Sequence, residues 1–306
     1  MADCCILYNP LAGNGRCAAE SKKLAETIGE ARTRIVNICE IGDYSEFFES
    51  LAPEESIIVC GGDGTLNRFV NDTDGIDINC DVYYFAAGSG NDFLRDVGSD
   101  TDGEPICINR YIRDLPEVTV KGKTYKFING IGYGIDGYCC EEGDAQREIS
   151  DKPVNYTAIA ISGLLFHYHP TNATVVVDGR EHRYKRVWLA PTMNGRCYGG
   201  GMMPTPAQDR LNSEGTVSTM VYYGAGKLRA LMVFPSIFKG EHVKHTGMVE
   251  ILTGNDITVR FDAPTALQID GETVTGVTEY SVHSHARSTE PCAAKQISGS
   301  ERNTVC

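Results

Sequence analysis

The sequence lacks an excess of positive charge. Its 306 residues carry 28 lysines and arginines against 41 aspartates and glutamates, which gives a net charge of -13. A protein that binds nucleic acid needs a basic surface to neutralise phosphates, and a basic surface also attracts anionic membranes. The composition therefore argues against nucleic acid as a partner, and any membrane contact must come from a local patch.

Several other signals are also missing. The twelve cysteines are scattered without a C-x-x-C pair, which argues against a zinc ribbon or a thioredoxin-type site. Residues 1 to 8 are typical of a first strand rather than of a signal peptide, and no apolar run approaches the length of a bilayer span. We therefore expect a cytoplasmic protein with reduced thiols.

The first third of the chain instead repeats a pattern of strand, glycine-rich loop and helix. Residues 57 to 60 predict a strand that runs into Gly61-Gly62-Asp63-Gly64, after which apolar residues recur at helical spacing. Residues 4 to 8 and 82 to 86 predict two more strands that end in polar glycine-rich loops. The first loop also fits a relaxed dinucleotide fingerprint, but Pro10 and its neighbours separate that fingerprint from the strand.

Such loops are suited to binding phosphate. Glycine lets the backbone approach an anion closely, and the amide groups at a helix start favour negative charge. Asp63 would repel a phosphate unless a cation or a hydroxyl donor lies beside it, and magnesium is the expected mediator. Because the carboxyl ends of parallel strands share one edge of a sheet, the polar residues of the three loops should line one cleft, although three independent turns are the alternative. These residues are Asn9, Asp63, Thr65, Asn67, Ser89, Asn91 and Asp92.

After about residue 116 the pattern changes to short alternating runs with hairpin-like turns, which predicts an antiparallel sandwich or curled sheet. We expect an N-terminal α/β domain over residues 1 to 115, a β-sandwich domain over 116 to 283 and a loosely ordered tail over 284 to 306, which could return to the first domain. Residues 155 to 166 and 228 to 238 are the two segments of this half long and apolar enough for helices. Core packing is favoured for both over a lipid-facing role.

Taken together, the motifs resemble the catalytic domain of the diacylglycerol kinase and sphingosine kinase family of lipid kinases. The resemblance is nearest to the soluble bacterial diacylglycerol kinase type and covers about residues 4 to 275. Its N-terminal motifs are Asn9-Pro10-x-x-Gly13-x-Gly15, the loop from Gly61 to Asn67, and Gly88-Ser89-Gly90-Asn91-Asp92. Downstream matches are Asn129-x-x-x-Tyr133-Gly134-x-Asp136 and Gln268-Ile269-Asp270-Gly271-Glu272.

This resemblance implies a fold and a set of roles. The fold would be an α/β nucleotide-binding domain like that of NAD kinases and phosphofructokinases, followed by an antiparallel β-sandwich domain. The nucleotide would be bound by Asn9, Pro10, Gly13, Gly61, Gly62, Asp63, Gly64, Thr65, Asn67, Gly88, Ser89, Asn91 and Asp92. The catalytic residues would be Asp63, Asp270 and Glu272, with Glu272 as the general base. Magnesium would be held by Asp63, and a structural magnesium by Leu211, Glu214 and Thr216.

The expected activity is an ATP- and Mg²⁺-dependent transfer of the γ-phosphoryl group to a lipid hydroxyl at a membrane surface, with diacylglycerol as the favoured acceptor and phosphatidic acid as the product. The alternatives are an NAD kinase-like metabolite kinase, a kinase for a sphingoid base or another lipid alcohol, and an inactive nucleotide- or lipid-binding homologue. A homodimer is one of the states that the sequence leaves open. We expect peripheral membrane association through residues 155 to 169 or 228 to 239.

Three departures from the family pattern bear on these roles. The first loop has Ala12-Gly13-Asn14, without the basic residue common in the family, and the third loop has Ser89 where threonine is usual. Ser213-Glu214-Gly215 replaces the usual Asp-Asp-Gly beside the structural magnesium.

Overall fold

A computed structural model of the chain describes residues 3–88, 90–98, 103–149 and 154–288. Ser89 and most of the predicted tail lie outside the described residues. The described residues form two compact units. The first comprises the chain up to Asp114 together with Ser288, and the second is Leu115–Arg287.

The first unit is built on a five-stranded sheet in the order β2-β1-β3-β4-β5, in which β5 is antiparallel to β4 and the other neighbours are parallel. Its strands are β1 (Cys4–Tyr8), β2 (Thr33–Asn37), β3 (Ser56–Gly61), β4 (Val82–Ala86) and β5 (Ile106–Cys107). Its helices are α1 (Cys17–Ile28), α2 (Tyr44–Glu49), α3 (Asp63–Asp72), α4 (Asp92–Val97) and α5 (Asn109–Ile112). Short 3-10 helices cover Ala12–Gly15, Glu30–Arg32 and Ile38–Glu40.

The strand order creates a switch point between β1 and β3. The chain leaves β1 towards β2 on one side, and β3 lies on the other side of β1. Every residue of β3 is buried, as expected for a central strand covered on both faces. Ligands in open α/β sheets bind beyond the carboxyl ends of the strands at such a switch point. The loops after β1 and β3 begin there.

The second unit contains a ten-stranded antiparallel sheet, whose strands pair in the order β7-β6-β15-β14-β8-β11-β12-β10-β9, with β13 beside β12 and a further pairing of β14 with β9. The strands are β6 (Glu117–Val120), β7 (Lys123–Lys126), β8 (Gly130–Tyr133), β9 (Thr171–Val177), β10 (Arg180–Leu189), β11 (Thr192–Met193), β12 (Val217–Tyr223), β13 (Val249–Gly254), β14 (Asp256–Ile269) and β15 (Glu272–His283). The helices are α6 (Ile135–Ile149), α7 (Tyr156–Ser162) and α8 (Lys227–Val233). A π-helix over Gly163–His167 extends α7, and 3-10 helices cover Phe234–Lys239 and Glu241–Lys244.

Two apolar cores stabilise the second unit. One contains side chains that come almost entirely from strands, and the other joins the sheet to α6, α7 and α8. Side chains of strand β12 alternate between the two cores, as expected for a strand covered on both faces. Val217 and Val221 enter the first core, and Met220 and Tyr222 enter the second. The alternating sequence pattern therefore reflects a sheet with two covered faces.

Helix α6 corrects the prediction that this half contains only two helices. It has 15 residues, and its buried face includes Asp136, Gly137 and Gly143. A Cβ on Gly137 would lie 2.0 Å from the carbonyl oxygen of Ala266, so the helix needs glycine there to pack against β14. The apolar periodicity that indicates a helix is therefore weak, because part of the buried face is glycine and carboxylate.

The sequence predicts hairpin turns at residues 121 to 123, 178 to 179 and 254 to 256, and the first two are confirmed. Lys121-Gly122 and Asp178-Gly179 have positive φ angles and join strands that pair with each other. The turn at residues 254 to 256 does not close a hairpin, because β13 pairs with β12 whereas β14 pairs with β15, β8 and β9. The sequence also predicts separate strands over residues 257 to 261 and 266 to 269, but both are parts of one long strand, β14.

Candidate active site

The first two loops are joined directly at the switch point. The side-chain amide of Asn9 donates to the hydroxyl of Thr65 at 2.9 Å, and the backbone amide of Asn9 donates to the carbonyl of Cys60 at 3.2 Å. The side-chain oxygen of Asn9 accepts from the backbone of Leu11 at 3.0 Å. Asn9 therefore fixes both the loop after β1 and its position beside the first turn of α3.

Asp63 joins the second loop to the third. Its two carboxylate oxygens accept the backbone amides of Asp92 at 3.0 Å and Phe93 at 2.9 Å. These amides belong to the first turn of α4. Amides in a first turn have no hydrogen-bond partner within their own helix. A carboxylate at a helix N-terminus is also stabilised by the helix dipole. The first contribution of Asp63 is thus to hold α4 in place.

Glycines bring the loops closer than other residues could. A Cβ on Gly88 would lie 2.5 Å from the Cα of Gly62, and a Cβ on Gly13 would lie 2.3 Å from the carbonyl oxygen of Ala87. By contrast, a Cβ on Gly64 would meet nothing within 4 Å. The crowded glycines lie where loop meets loop, and Gly64 faces open space in the first turn of α3. This is a geometry in which backbone amides can reach a phosphate.

The remaining predicted residues of the first unit fall in the same region. Pro10 lies in the first loop, and Asn67 is buried in α3 one turn beyond Asp63. Asn91 has a φ angle of 50° and precedes α4. Its side-chain oxygen is buried and has no hydrogen-bond partner in the part of the chain that is described. Asp92 is buried and lies 3.6 Å from a guanidinium nitrogen of Arg95. The structure brings the three loops together, apart from Ser89.

In the second unit, Asp270 anchors a tight turn. Asp270 and Gly271 have φ angles of 46° and 99° and connect β14 to β15, which pair as a hairpin. The Asp270 carboxylate accepts three consecutive backbone amides, from Ile128 at 2.5 Å and from Asn129 and Gly130 at 2.9 Å each. Asp270 therefore ties the turn to the start of β8.

Glu272 begins β15 directly after this turn and has an exposed side chain. Glu272 pairs with Ile269 in the hairpin. The preceding residue, Gly271, donates its backbone amide to the side chain of Gln268 at 2.7 Å. Glu272 thus combines a rigid backbone with a carboxylate that solvent can reach. A general base must come within hydrogen-bond reach of the proton it takes, and the exposed Glu272 carboxylate leaves room for a substrate to approach.

Sequence reasoning missed two of the polar side chains around residues 128 to 130, those of Arg210 and Arg287. Buried Arg210 donates to the Ile128 carbonyl at 3.3 Å and to the Asn129 side chain at 3.0 Å. Asn194 donates to the same Ile128 carbonyl at 2.9 Å, and Arg287 donates to Asn194 at 3.0 Å. Asn129 and Asn194 match the family pattern, whereas no local sequence pattern indicates Arg210 or Arg287. Arg210 contacts Asn129, which lies 81 residues earlier, and Arg287 contacts Asn194, which lies 93 residues earlier.

Asp136 is a buried residue of α6 and lies close to Gln268 of the β14–β15 hairpin. It accepts the hydroxyl of Tyr198 at 2.9 Å and the amide of Gly137 at 2.9 Å. A Cβ on Gly132 would collide with both Asp136 and Gln268, so the three residues are packed together. Burial raises the pKa of Asp136 to about 6, although the hydrogen bonds from Tyr198 and Gly137 act in the opposite direction.

The predicted structural-magnesium loop is held by amides. The Thr216 carbonyl accepts from the side chains of Gln208 at 2.8 Å and Asn212 at 2.9 Å, and the Glu214 carbonyl accepts from Asn255 at 3.0 Å. A carbonyl oxygen has two lone pairs, so that of Thr216 is fully used. The backbone amide of Leu211 donates to Asp209, and the side chain of Glu214 is exposed. No cluster of three His, Cys, Asp or Glu side chains suited to a metal occurs among the described residues, and the role of Leu211, Glu214 and Thr216 as magnesium ligands stays a prediction.

Comparison with known proteins agrees with this architecture. The family model of the diacylglycerol kinase catalytic domain matches residues 3–119, and that of the YegS C-terminal NAD kinase beta sandwich-like domain matches residues 129–288. A diacylglycerol kinase from Mycobacterium tuberculosis is 28% identical over 273 residues, which is 84% of each chain. A crystal structure of a diacylglycerol kinase from Bacillus anthracis has a TM-score of 0.62 at 19% identity and covers 92% of this chain and 94% of its own. The last likeness concerns the fold alone.

The fold is an α/β unit with a mostly parallel sheet followed by an antiparallel β-sandwich-like unit, in agreement with the two family models. The chain belongs to the diacylglycerol kinase family of lipid kinases. It is therefore a phosphotransferase that uses an ATP-type nucleotide. Among the described residues, no helix is long and apolar enough to cross a bilayer.

Proposed function

We propose that this protein transfers the γ-phosphoryl group of ATP to the hydroxyl group of diacylglycerol and so forms phosphatidic acid. The observation that carries the proposal is the junction of the three loops at the switch point, in the unit that matches a diacylglycerol kinase catalytic domain. The 28% identical Mycobacterium tuberculosis relative, named as a diacylglycerol kinase, supports the choice of acceptor.

In this proposal the first unit binds the nucleotide. The amides at the start of α3, next to open space at Gly64, receive phosphate oxygens. Asn9 and Thr65 orient this turn, and Asn91 precedes α4 in the third loop. Gly13, Gly61, Gly62 and Gly88 allow the close approach of the loops. Pro10, Asn67 and Ser89 complete the predicted set.

Magnesium is proposed to enter with the nucleotide. Mg²⁺ usually keeps several waters and binds one or two carboxylates together with substrate phosphates. Asp63 and Asp92 are the carboxylates available for this in the first unit, although Asp63 already accepts two amides. The metal supplies positive charge against the phosphates. Leu211, Glu214 and Thr216 are proposed to hold a separate, structural magnesium.

Glu272 is proposed to take the proton from the lipid hydroxyl. An alcohol is a poor nucleophile at neutral pH, so a carboxylate that accepts its proton assists the transfer. Asp270 acts as a positioning residue, because its carboxylate is engaged by three backbone amides and holds the turn that carries Glu272.

The test is phosphate transfer from γ-labelled ATP with magnesium in mixed detergent micelles. Diacylglycerol, sphingosine and NAD are offered as separate acceptors, with a reaction without acceptor as the control. We expect labelled phosphatidic acid. Labelled sphingosine phosphate without phosphatidic acid would move the proposal to another lipid, and labelled NADP would overturn it.

A further inference from the structure

The second unit exposes apolar side chains on two neighbouring helical segments. In α8, Leu228 and Met232 are 72% and 73% exposed and lie one turn apart, while Ala230 and Val233 of the same helix are buried. In the π-helix that extends α7, Phe166 is 68% exposed. These side chains, with the partly exposed Phe238, are named here the α7–α8 face.

The two segments form one surface. The ammonium group of Lys227 donates to the carbonyl of Leu165 at 2.9 Å, which places the residue before Leu228 against the residue before Phe166. Beneath them, Leu164, Ala230 and Ile237 share one apolar core. The exposed side chains therefore stand on a packed base and are not loose ends.

The charge around this face is opposite to that of the whole chain. Residues 154–170 and 224–240 contain no aspartate or glutamate but include Lys227, Arg229 and Lys239. With 41 acidic residues among 306, 34 residues of average composition would contain about five. The face therefore combines exposed apolar groups with net positive charge on a chain whose net charge is -13.

We propose that the α7–α8 face docks this kinase on the surface of an anionic lipid bilayer. Apolar side chains that enter the headgroup region and cations that meet anionic lipids are the two elements of peripheral membrane binding. This inference rests on the lipid substrate of the proposed function. A second copy of the chain is the less suitable occupant, because a symmetric contact would oppose Arg229 and Lys239 with their own copies.

The test uses the full-length protein and sedimentation with vesicles of phosphatidylcholine, either alone or with about one third phosphatidylglycerol. The double variant Leu228→Glu/Met232→Glu should bind the anionic vesicles at least about tenfold more weakly, because it removes two apolar anchors and adds two negative charges. Arg229→Glu/Lys239→Glu should have a similar effect that shrinks at high salt. Ile149→Glu is the matched control, since Ile149 is 85% exposed but lies beside Glu148 on α6. It should bind like the unmodified protein.

Activity separates the docking surface from the proposed reaction. With short-chain diacylglycerol in detergent micelles, both double variants should keep their turnover, and this also shows that they are folded. With long-chain diacylglycerol in anionic vesicles they should lose activity in proportion to binding. Unchanged vesicle binding in both variants would overturn the docking surface but leave the reaction standing. Lack of activity towards every diacylglycerol would overturn the reaction instead. If light scattering shows a dimer that the variants dissociate, a second copy covers this face and the proposal is wrong.

Discussion

The two units build their candidate sites in different ways. In the first unit, three loops meet at closely packed glycines and are joined by the side chains of Asn9 and Asp63, and the amides at the start of α3 lie next to open space. In the second unit, the turn before Glu272 is held by a carboxylate that reaches amides more than 140 residues away. The first site should therefore be sensitive to added atoms, and the second to lost charge. The following predictions test that contrast.

The largest effect is expected at Glu272. Glu272→Gln removes the proposed proton acceptor, so turnover should fall about 100- to 10,000-fold, the usual contribution of a general base. Binding of magnesium-ATP, measured by titration calorimetry, should stay nearly unchanged. Glu279→Gln is the matched control, because Glu279 lies on the same strand and forms an ion pair with Arg260. Full turnover in the Glu272 variant would refute the assignment.

The same substitution in both units compares the two carboxylate anchors. Asp270→Asn should reduce the free energy of unfolding by about 2 to 4 kcal/mol, because the new amide group would face a backbone N–H that Asp270 now accepts. The Asp63 carboxylate accepts from the backbone amides of Asp92 and Phe93, and Asp63→Asn should cost about 1 to 2 kcal/mol.

Each unit offers its own readout for this pair. Trp188 is the one tryptophan in the chain and is buried in the second unit, so its fluorescence reports urea unfolding there. Far-UV circular dichroism and magnesium-ATP titration follow the Asp63 variant, whose nucleotide affinity should also fall because α4 loses its anchor. Equal costs at the two positions would contradict the contrast between the sites.

The strands that carry the first and third loops could be predicted from the sequence to the residue, whereas β5 and α5 were not predicted. Residues 4 to 8 and 82 to 86 form the strands that the sequence indicates. Local patterns suffice there because parallel strands buried on both faces are continuous apolar runs and each glycine loop follows its strand directly. The convergence of the loops followed from topology alone. The roles of Asn9, Asp63 and the other loop residues in nucleotide binding stay predictions.

Much of the second unit could not be predicted in this way. The periodicity of α6 is hidden by buried Asp136, Gly137 and Gly143. Arg210 has no motif of its own, because its partners Ile128 and Asn129 lie about 80 residues earlier. The resemblance indicated Asp270 and Glu272, but without contacts it could not separate the anchoring residue from the exposed one.

Buried Asp136 should make the stability of the second unit depend on pH. Its pKa in the folded protein is about 6 against an ordinary 3.8, since burial opposes the charged form. Because the pKa is raised, the folded protein favours the protonated Asp136 carboxyl. Its contribution to stability is complete below about pH 4 and is lost as the pH rises through 6. The loss has an upper bound of about 3 kcal/mol.

Asp136→Asn stays neutral and should flatten the pH dependence of unfolding between about pH 4 and 7. Trp188 fluorescence in urea at several pH values measures this. Asp262→Asn, at an exposed position on β14, should keep the slope of the unmodified protein. An unchanged slope in the Asp136 variant would mean that another group controls this range.

Single methyl groups in the first unit test how its site responds to added atoms. Gly88→Ala places a Cβ 2.5 Å from the Cα of Gly62, and such overpacking costs about 1 to 3 kcal/mol of stability. Gly64→Ala meets no atom within 4 Å, so thermal unfolding should change little while magnesium-ATP affinity falls, because the methyl group points into the space proposed for phosphate. The two variants are controls for each other, since the added atom is the same. If Gly64→Ala kept full nucleotide affinity, the open side of α3 would not be where phosphate binds, and the first site would have to use the first loop instead.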